Sequence, residues 1–120
     1  MKYLITDDSK LARKVLKKSL FEYVDASDVL EASNGFEALK LILKERPKIV
    51  FIDLTMPVMD GYATIPKILD IDPDTKVVVI SADVQEKAKE RVLALGAKLH
   101  VEKPINPKKM KEILEKLHNE

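Results

Sequence analysis

The chain contains no cysteine. Disulfides, thiolate zinc sites and thiol nucleophiles are therefore excluded. It also lacks an excess of charge of either sign: 21 basic side chains face 20 acidic ones, for a formal net charge of +1. Bulk electrostatic binding to nucleic acid or to an anionic membrane is not expected of so balanced a composition. No apolar stretch approaches the roughly 18 residues that span a bilayer. The opening Met1-Lys2-Tyr3-Leu4-Ile5-Thr6-Asp7-Asp8 has neither the longer apolar run nor the cleavage site of a signal peptide, so a cytoplasmic location is expected. Low-complexity tracts, internal repeats and linkers are absent too. What remains is 120 residues, 46% hydrophobic and 34% charged, which is the size and balance of one globular domain with one core, and a single domain over residues 1–120 is expected.

A short β-rich apolar run followed by a helical stretch recurs along the chain. The runs are Tyr3–Thr6, Val29–Ala32, Ile49–Ile52, Val77–Ile80 and Leu99–Val101. The third, Ile-Val-Phe-Ile, and the fourth, Val-Val-Val-Ile, are apolar at every position, the pattern of strands buried on both faces of a parallel sheet. Between them, Ser9 is placed to cap a helix with Ala12, Val15, Leu16, Ser19, Leu20 and Tyr23 on one side. A second helix after Asn34-Gly35 is predicted to turn Phe36, Leu39, Ile42 and Leu43 inward, with Pro47 beyond its end. A fourth begins near Gln85, carries Ala88, Val92 and Leu95, and ends at Gly96, a C-cap glycine. The fifth has Asn106 as N-cap, Pro107 as first residue, and Met110, Ile113, Leu114 and Leu117 at i, i+3, i+4 and i+7. The third is the awkward one. Pro66 lies inside Tyr62–Leu69, where an interior proline costs about 3 kcal/mol, so this helix is predicted either to start late or to bend.

Five βα units imply right-handed crossovers and helices on both faces of a parallel sheet. Sites in such sheets form at the carboxyl ends of the strands. Strand one ends in Asp7-Asp8, strand three in Asp53, strand four in Ser81 and strand five in Lys103-Pro104. Three converging carboxylates repel, and a divalent cation relieves that repulsion. All-oxygen ligation without His or Cys suits Mg²⁺, Mn²⁺ or Ca²⁺, and the combination of carboxylates with phosphate oxygens fits Mg²⁺. A carboxylate is also a nucleophile towards phosphorus, giving an acyl phosphate whose oxygens Lys103 and the Ser81 hydroxyl can bind. Taken singly, each residue has an ordinary role as a helix cap, turn or surface side chain. Their joint occurrence at successive strand ends is what points to chemistry.

With these motifs, Asp7-Asp8-Ser9, Asp53-Leu-Thr-Met-Pro-Val-Met-Asp-Gly61, Ser81-Ala82 and Lys103-Pro104, the chain resembles along its whole length the receiver domains of two-component response regulators, in particular the stand-alone CheY-type members. The resemblance implies a flavodoxin-like α/β fold with strand order 2-1-3-4-5 and five helices. It implies Asp53 as phosphoacceptor, and Asp8, Asp53 and the Thr55 backbone carbonyl as direct Mg²⁺ ligands, with Asp7 acting through a water. Lys103 would pair with the phosphoryl group, Ser81 would bond to it and move on activation, and the Lys103–Pro104 peptide would be cis. His100, three residues before the lysine, occupies a switch position where the family usually has Tyr or Phe. Thr55 and Asp83 occupy the two positions that tune phosphate lifetime.

The function so implied is two-component signalling. A histidine kinase phosphorylates Asp53, the receiver assists without being an enzyme in the ordinary sense, and a monomer signals by protein–protein contact. The pathway by analogy is chemotaxis, with a flagellar motor switch or a phosphatase as target and no nucleic acid or membrane partner. Rival readings are a phosphorelay intermediate, an aspartate-nucleophile phosphatase and a flavodoxin. The phosphatase needs a second acid where Thr55 stands, and the flavodoxin needs an anion-binding loop where Asp7-Asp8-Ser9-Lys10 stands. Charge is uneven along the chain: residues 86–116 carry nine basic and five acidic side chains, whereas residues 1–85 carry 12 basic and 14 acidic.

Overall fold

The computed structural model describes residues 1–119. Five strands, β1 (Tyr3–Thr6), β2 (Val29–Ala32), β3 (Ile49–Ile52), β4 (Lys76–Ser81) and β5 (Leu99–Glu102), form one parallel sheet in the order β2-β1-β3-β4-β5. The helices are α1 (Lys10–Leu20), α2 (Gly35–Glu45), α3 (Gly61–Ile71), α4 (Glu86–Ala94) and α5 (Pro107–His118). This is the flavodoxin-like arrangement expected from the sequence. The order reverses at β1, so β1 and β3 are neighbours and their carboxyl ends lie side by side.

The period-2 geometry of a strand divides the core in two. Leu4, Val50, Ile52, Val77 and Val79 face one way, towards Ala38 and Ile42 of α2, Ile65 and Ile68 of α3, and Val92 of α4. Ile5, Phe51, Val78 and Ile80 face the other, towards Leu16 and Leu20 of α1 and Met110, Ile113 and Leu117 of α5. All of β3 is buried, which is why it is apolar at every position. Burying each such side chain contributes roughly 1.5–3 kcal/mol.

The caps at Ser9 and Asn106 are those expected from the sequence, and Asn34 and Asp60 join them. Ser9, Asn34, Asp60 and Asn106 each accept a main-chain N–H from the first turn of their helices. Gly96 stands just past α4 with φ +111°, and the Ala97 N–H reaches back to the Val92 carbonyl. Ile42 and Leu39 of α2 face the core as expected, but part of the expected facing fails. Phe36 and Leu43 of α2 point to solvent (52% and 58% exposed), and so do Val15 of α1 and Tyr23 beyond it. In α2 the buried line is instead Gly35, Ala38 and Ile42, because Gly35 is pressed against Thr64 and Met59, with no room there for a side chain. The third helix does not start late. It runs from Gly61, N-capped by Asp60, with Pro66 inside it.

Candidate functional site

Each strand end delivers its side chain by ending its ladder. The Asp7 N–H makes a last bond from β1 to the Ala32 carbonyl (3.1 Å), and the Asp53 N–H makes one from β3 to the Thr6 carbonyl (3.0 Å). Beyond these bonds the chain leaves the sheet, and both carboxylates stand buried at its edge. Asp8, one residue on, is exposed. Ligand oxygens of Asp7, Asp8 and Asp53 lie within 4.8 Å of one another.

Lys103 reaches the same place from β5. Its Nζ is 2.7 Å from Asp7 Oδ2 and 3.2 Å from Asp53 Oδ2. The peptide bond that follows it, to Pro104, is cis. The Lys103 N–H donates to the Ser81 carbonyl (2.9 Å), which ties the end of β5 to the end of β4. The other oxygens of the pair are also held: Asp7 Oδ1 accepts the Ser9 N–H (2.9 Å), and Asp53 Oδ1 accepts the Leu54 N–H (2.8 Å).

The charges do not cancel. Burial first, and the neighbouring Asp7 charge second, push the Asp53 carboxyl above its ordinary value, against the pull of Lys103 and the Leu54 N–H. For Lys103 the largest single influence is burial, which disfavours the ammonium. The bonds and charges of Asp7 and Asp53 together outweigh it, so its pKa is raised. An excess of buried carboxylate with one ammonium is an environment that attracts a second cation. The donors are all oxygen and close enough to share one ion, which fits a hard divalent cation such as Mg²⁺.

The remaining sequence-derived residues surround this cluster without joining it. Ser81 is buried, and its Oγ accepts the Asp83 N–H (3.0 Å). The Asp83 carboxylate in turn accepts the Gln85 N–H (3.0 Å), so it acts in the loop before α4. Thr55 is exposed in the segment between Asp53 and α3. His100 is half-buried within β5, opposite Val79 of β4, and its Nε2 is buried with no hydrogen-bond partner among the described residues. A cavity of about 230 Å³ opens beside Asp7, Asp53 and Lys103, its walls formed by Ile5, Ala12, Phe51, Ile80 and Ile105 among others.

Arg13 was not singled out from the sequence. It donates from Nη1 to the Asp7 carbonyl at 2.7 Å. The signal was present: an arginine one helical turn after the Ser9 cap lies on the side of α1 that overlooks the loop it left.

The family model for the response regulator receiver domain matches residues 3–115. The chemotaxis protein CheY of Listeria monocytogenes is 37% identical over 116 residues, which cover 97% of this chain and 97% of that protein. The chemotaxis protein CheY of Thermotoga maritima is also 37% identical over 116 residues, 95% of this chain and 94% of that one. Among solved structures, a chain from the CheX–CheY–BeF3–Mg²⁺ complex of Borrelia burgdorferi matches with a TM-score of 0.89 at 28% identity, covering 98% of this chain and 89% of that one.

Proposed function

This chain belongs to the response regulator receiver domain family, and on that premise we propose that it is a single-domain phosphorylation switch whose acceptor is Asp53. The donor is a phosphohistidine of a histidine kinase. An Asp53 carboxylate oxygen attacks phosphorus, the new P–O bond forms as the P–N bond breaks, and the imidazole nitrogen leaves with the electron pair and takes a proton. The product is an acyl phosphate. Lys103, already 3.2 Å from Asp53 Oδ2, follows the negative charge on to the phosphoryl oxygens. Ser81 Oγ gives up the Asp83 N–H, and its O–H donates a hydrogen bond to the phosphoryl group. Asp8, Asp53 and the Thr55 backbone carbonyl would hold Mg²⁺, and Asp7 would act through a water. When bound, the ion neutralises the carboxylates and the charge that develops on the transferring group.

The observation that carries this reading is the meeting of three carboxylates from β1 and β3 with a lysine from β5 at one point, ligand oxygens within 4.8 Å. The phosphorylated form signals from the cytoplasm by protein contact through α4, β5 and α5, where residues 86–116 carry nine basic and five acidic side chains. As Ser81 moves, His100 turns and this face changes shape. Such coupling requires a partner that binds the two states with different affinity. The names of the relatives, chemotaxis proteins, support a chemotaxis pathway, in which a motor switch protein or a phosphatase would be the target.

A small acyl-phosphate donor with Mg²⁺ should label one residue, located at Asp53 by borohydride trapping and mass spectrometry. Equal labelling of Asp53→Ala overturns the assignment. A phosphoryl mimic with Mg²⁺ should shift NMR signals at Lys87–Leu95, His100 and Lys108–Glu112. Shifts confined to the surroundings of Asp53 would overturn the output face.

A further inference from the structure

We infer that Arg13 is a positioning residue for the Mg²⁺ site, orienting Asp8 through the Asp7–Asp8 peptide. The inference rests on the reading that Asp8 and Asp53 hold the ion. Asp7 is fixed by its own side chain, with Oδ1 on the Ser9 N–H and Oδ2 on Lys103. Asp8 is exposed, and among the described residues no donor holds its carboxylate. Where that carboxylate points depends on the main chain that carries it. The Asp7 carbonyl belongs to the peptide plane joining Asp7 to Asp8, and it lies past the last β1–β2 ladder bond. Arg13 Nη1 holds this carbonyl at 2.7 Å. Fixing this peptide plane fixes where the Asp8 Cα sits, leaving only rotation about its own N–Cα bond to aim the side chain that carries the carboxylate.

The arginine is itself held. Its Nε donates to Glu31 Oε1 at 3.1 Å, and Lys17 Nζ sits 2.9 Å from Glu31 Oε2. Glu31 lies on β2 directly opposite Ile5 of β1, two residues before Asp7. Burial works against the Glu31 carboxylate, but the bonds and charges of Lys17 and Arg13 prevail and hold its pKa below the ordinary value. The Arg13 side chain is only 16% exposed. A planar guanidinium can span from Glu31 to the Asp7 carbonyl with two differently directed N–H groups, which a lysine cannot do. The result is a strut from the edge strand to the acidic loop.

Charge and position predict opposite signs, which makes the inference testable. As a mere charge, Arg13 would oppose cation binding, so its removal would tighten Mg²⁺. As a strut, its removal frees the Asp7–Asp8 peptide and weakens Mg²⁺ by about tenfold, the lower end of what outer ligand-orienting groups contribute. The experiment is Mg²⁺ titration by NMR or calorimetry of the whole chain and its Arg13→Met, Arg13→Lys and Lys17→Met variants. Both Arg13 variants should bind about tenfold more weakly, and Lys17→Met should not weaken. In metal-free buffer, amide exchange at Ser9, whose N–H closes the turn on to Asp7 Oδ1, should be faster in both Arg13 variants. Ile68→Val, destabilised in the opposite core layer, serves as control and should keep its Mg²⁺ affinity. Unchanged or tighter binding in Arg13→Met, or wild-type affinity in Arg13→Lys, overturns the inference. A wild-type chain that binds no Mg²⁺ overturns the site reading beneath it, and unaltered Ser9 exchange would then remove the strut as well.

Discussion

Gly61 lies directly against the main chain of Asp53. A Cβ added to Gly61 would stand 2.4 Å from the Asp53 carbonyl oxygen and 2.9 Å from the Leu54 Cα. The Gly61 N–H also donates to the Leu54 carbonyl (2.9 Å), so the first turn of α3 sits on the acceptor segment with no side chain between them. Both neighbours are backbone and neither can swing aside. Gly61→Ala should therefore destabilise the fold by about 2 kcal/mol or more, read from urea unfolding, and should slow labelling of Asp53. A variant with wild-type stability would mean that α3 can retreat from the acceptor freely.

Val58 points to an opposite outcome in the same loop. It has φ +70°, and the Met59 N–H bonds across it to the Pro57 carbonyl at 2.7 Å, a γ-turn with the central residue at positive φ. A β-branched residue is out of place there, and at 85% exposure its side chain gains nothing from packing. Positive φ costs an ordinary residue roughly 1–2 kcal/mol, while glycine adds back roughly 0.5–1 kcal/mol of unfolded-chain entropy. Val58→Gly should raise stability by up to about 1 kcal/mol and lift the thermal midpoint. A lower midpoint would show that the turn is not strained.

Much of the architecture was legible because several local signals agree. Caps at Ser9 and Asn106, a proline at position 107, the glycine at 96 and two fully apolar strands all point to the same element boundaries. The converging residues were legible for a related reason: in a parallel sheet, side chains just past the strand ends meet at one edge. What failed was the facing of α2. That helix carries Glu37, Lys40 and Lys44 on one narrow stripe and apolar residues over more than half its circumference, so the pattern sets Ala38, Leu39 and Ile42 inward but leaves the flanking Phe36 and Leu43 open. The choice is made by Gly35 docking on Thr64 and Met59, a contact 24 or more residues away in sequence. Arg13 could have been read from its place one turn after the Ser9 cap, but its pairing with Glu31, 18 residues away, has no local period.

Asp53 should leave a mark on the pH dependence of stability. Its pKa in the fold lies above the ordinary 3.8, with burial and then Asp7 as causes. The folded state thus holds this proton more tightly than the unfolded state does. The contribution is fully present below the unfolded value and is lost as pH rises through the folded one. Other carboxyls oppose it, since the Glu31 pKa is lowered and its contribution is lost as pH falls. The comparison with Asp53→Asn isolates the effect. In chelator, the asparagine variant should gain on wild type as pH rises from about 4 through the raised value, and then run parallel to it. Urea midpoints across that range read this directly. Excess Mg²⁺ should reverse the gain, because the ion stabilises the ionised carboxylate that asparagine lacks. A constant difference across the range would mean that Asp53 titrates normally.

Lys103 separates the two uses of the carboxylates. Its ammonium bonds Asp7 Oδ2 at 2.7 Å and Asp53 Oδ2 at 3.2 Å, so it occupies oxygens that a bound ion would share. Lys103→Met removes a competing cation and leaves two buried carboxylates facing each other unneutralised. Without metal the variant should be less stable than wild type at neutral pH, with the Asp53 pKa raised further, because the charge that held it down is gone. Mg²⁺ should bind about tenfold more tightly, equivalent to roughly 1.4 kcal/mol of lost competition. Labelling of Asp53 by an acyl-phosphate donor should nonetheless slow, since nothing replaces the lysine on the phosphoryl oxygens. Calorimetric Mg²⁺ titration and labelling rates, measured on one preparation, make the test. Tighter metal together with slower labelling places Lys103 on the phosphoryl group, whereas weaker metal would mean that the lysine organises the carboxylates for the ion and does not compete with it.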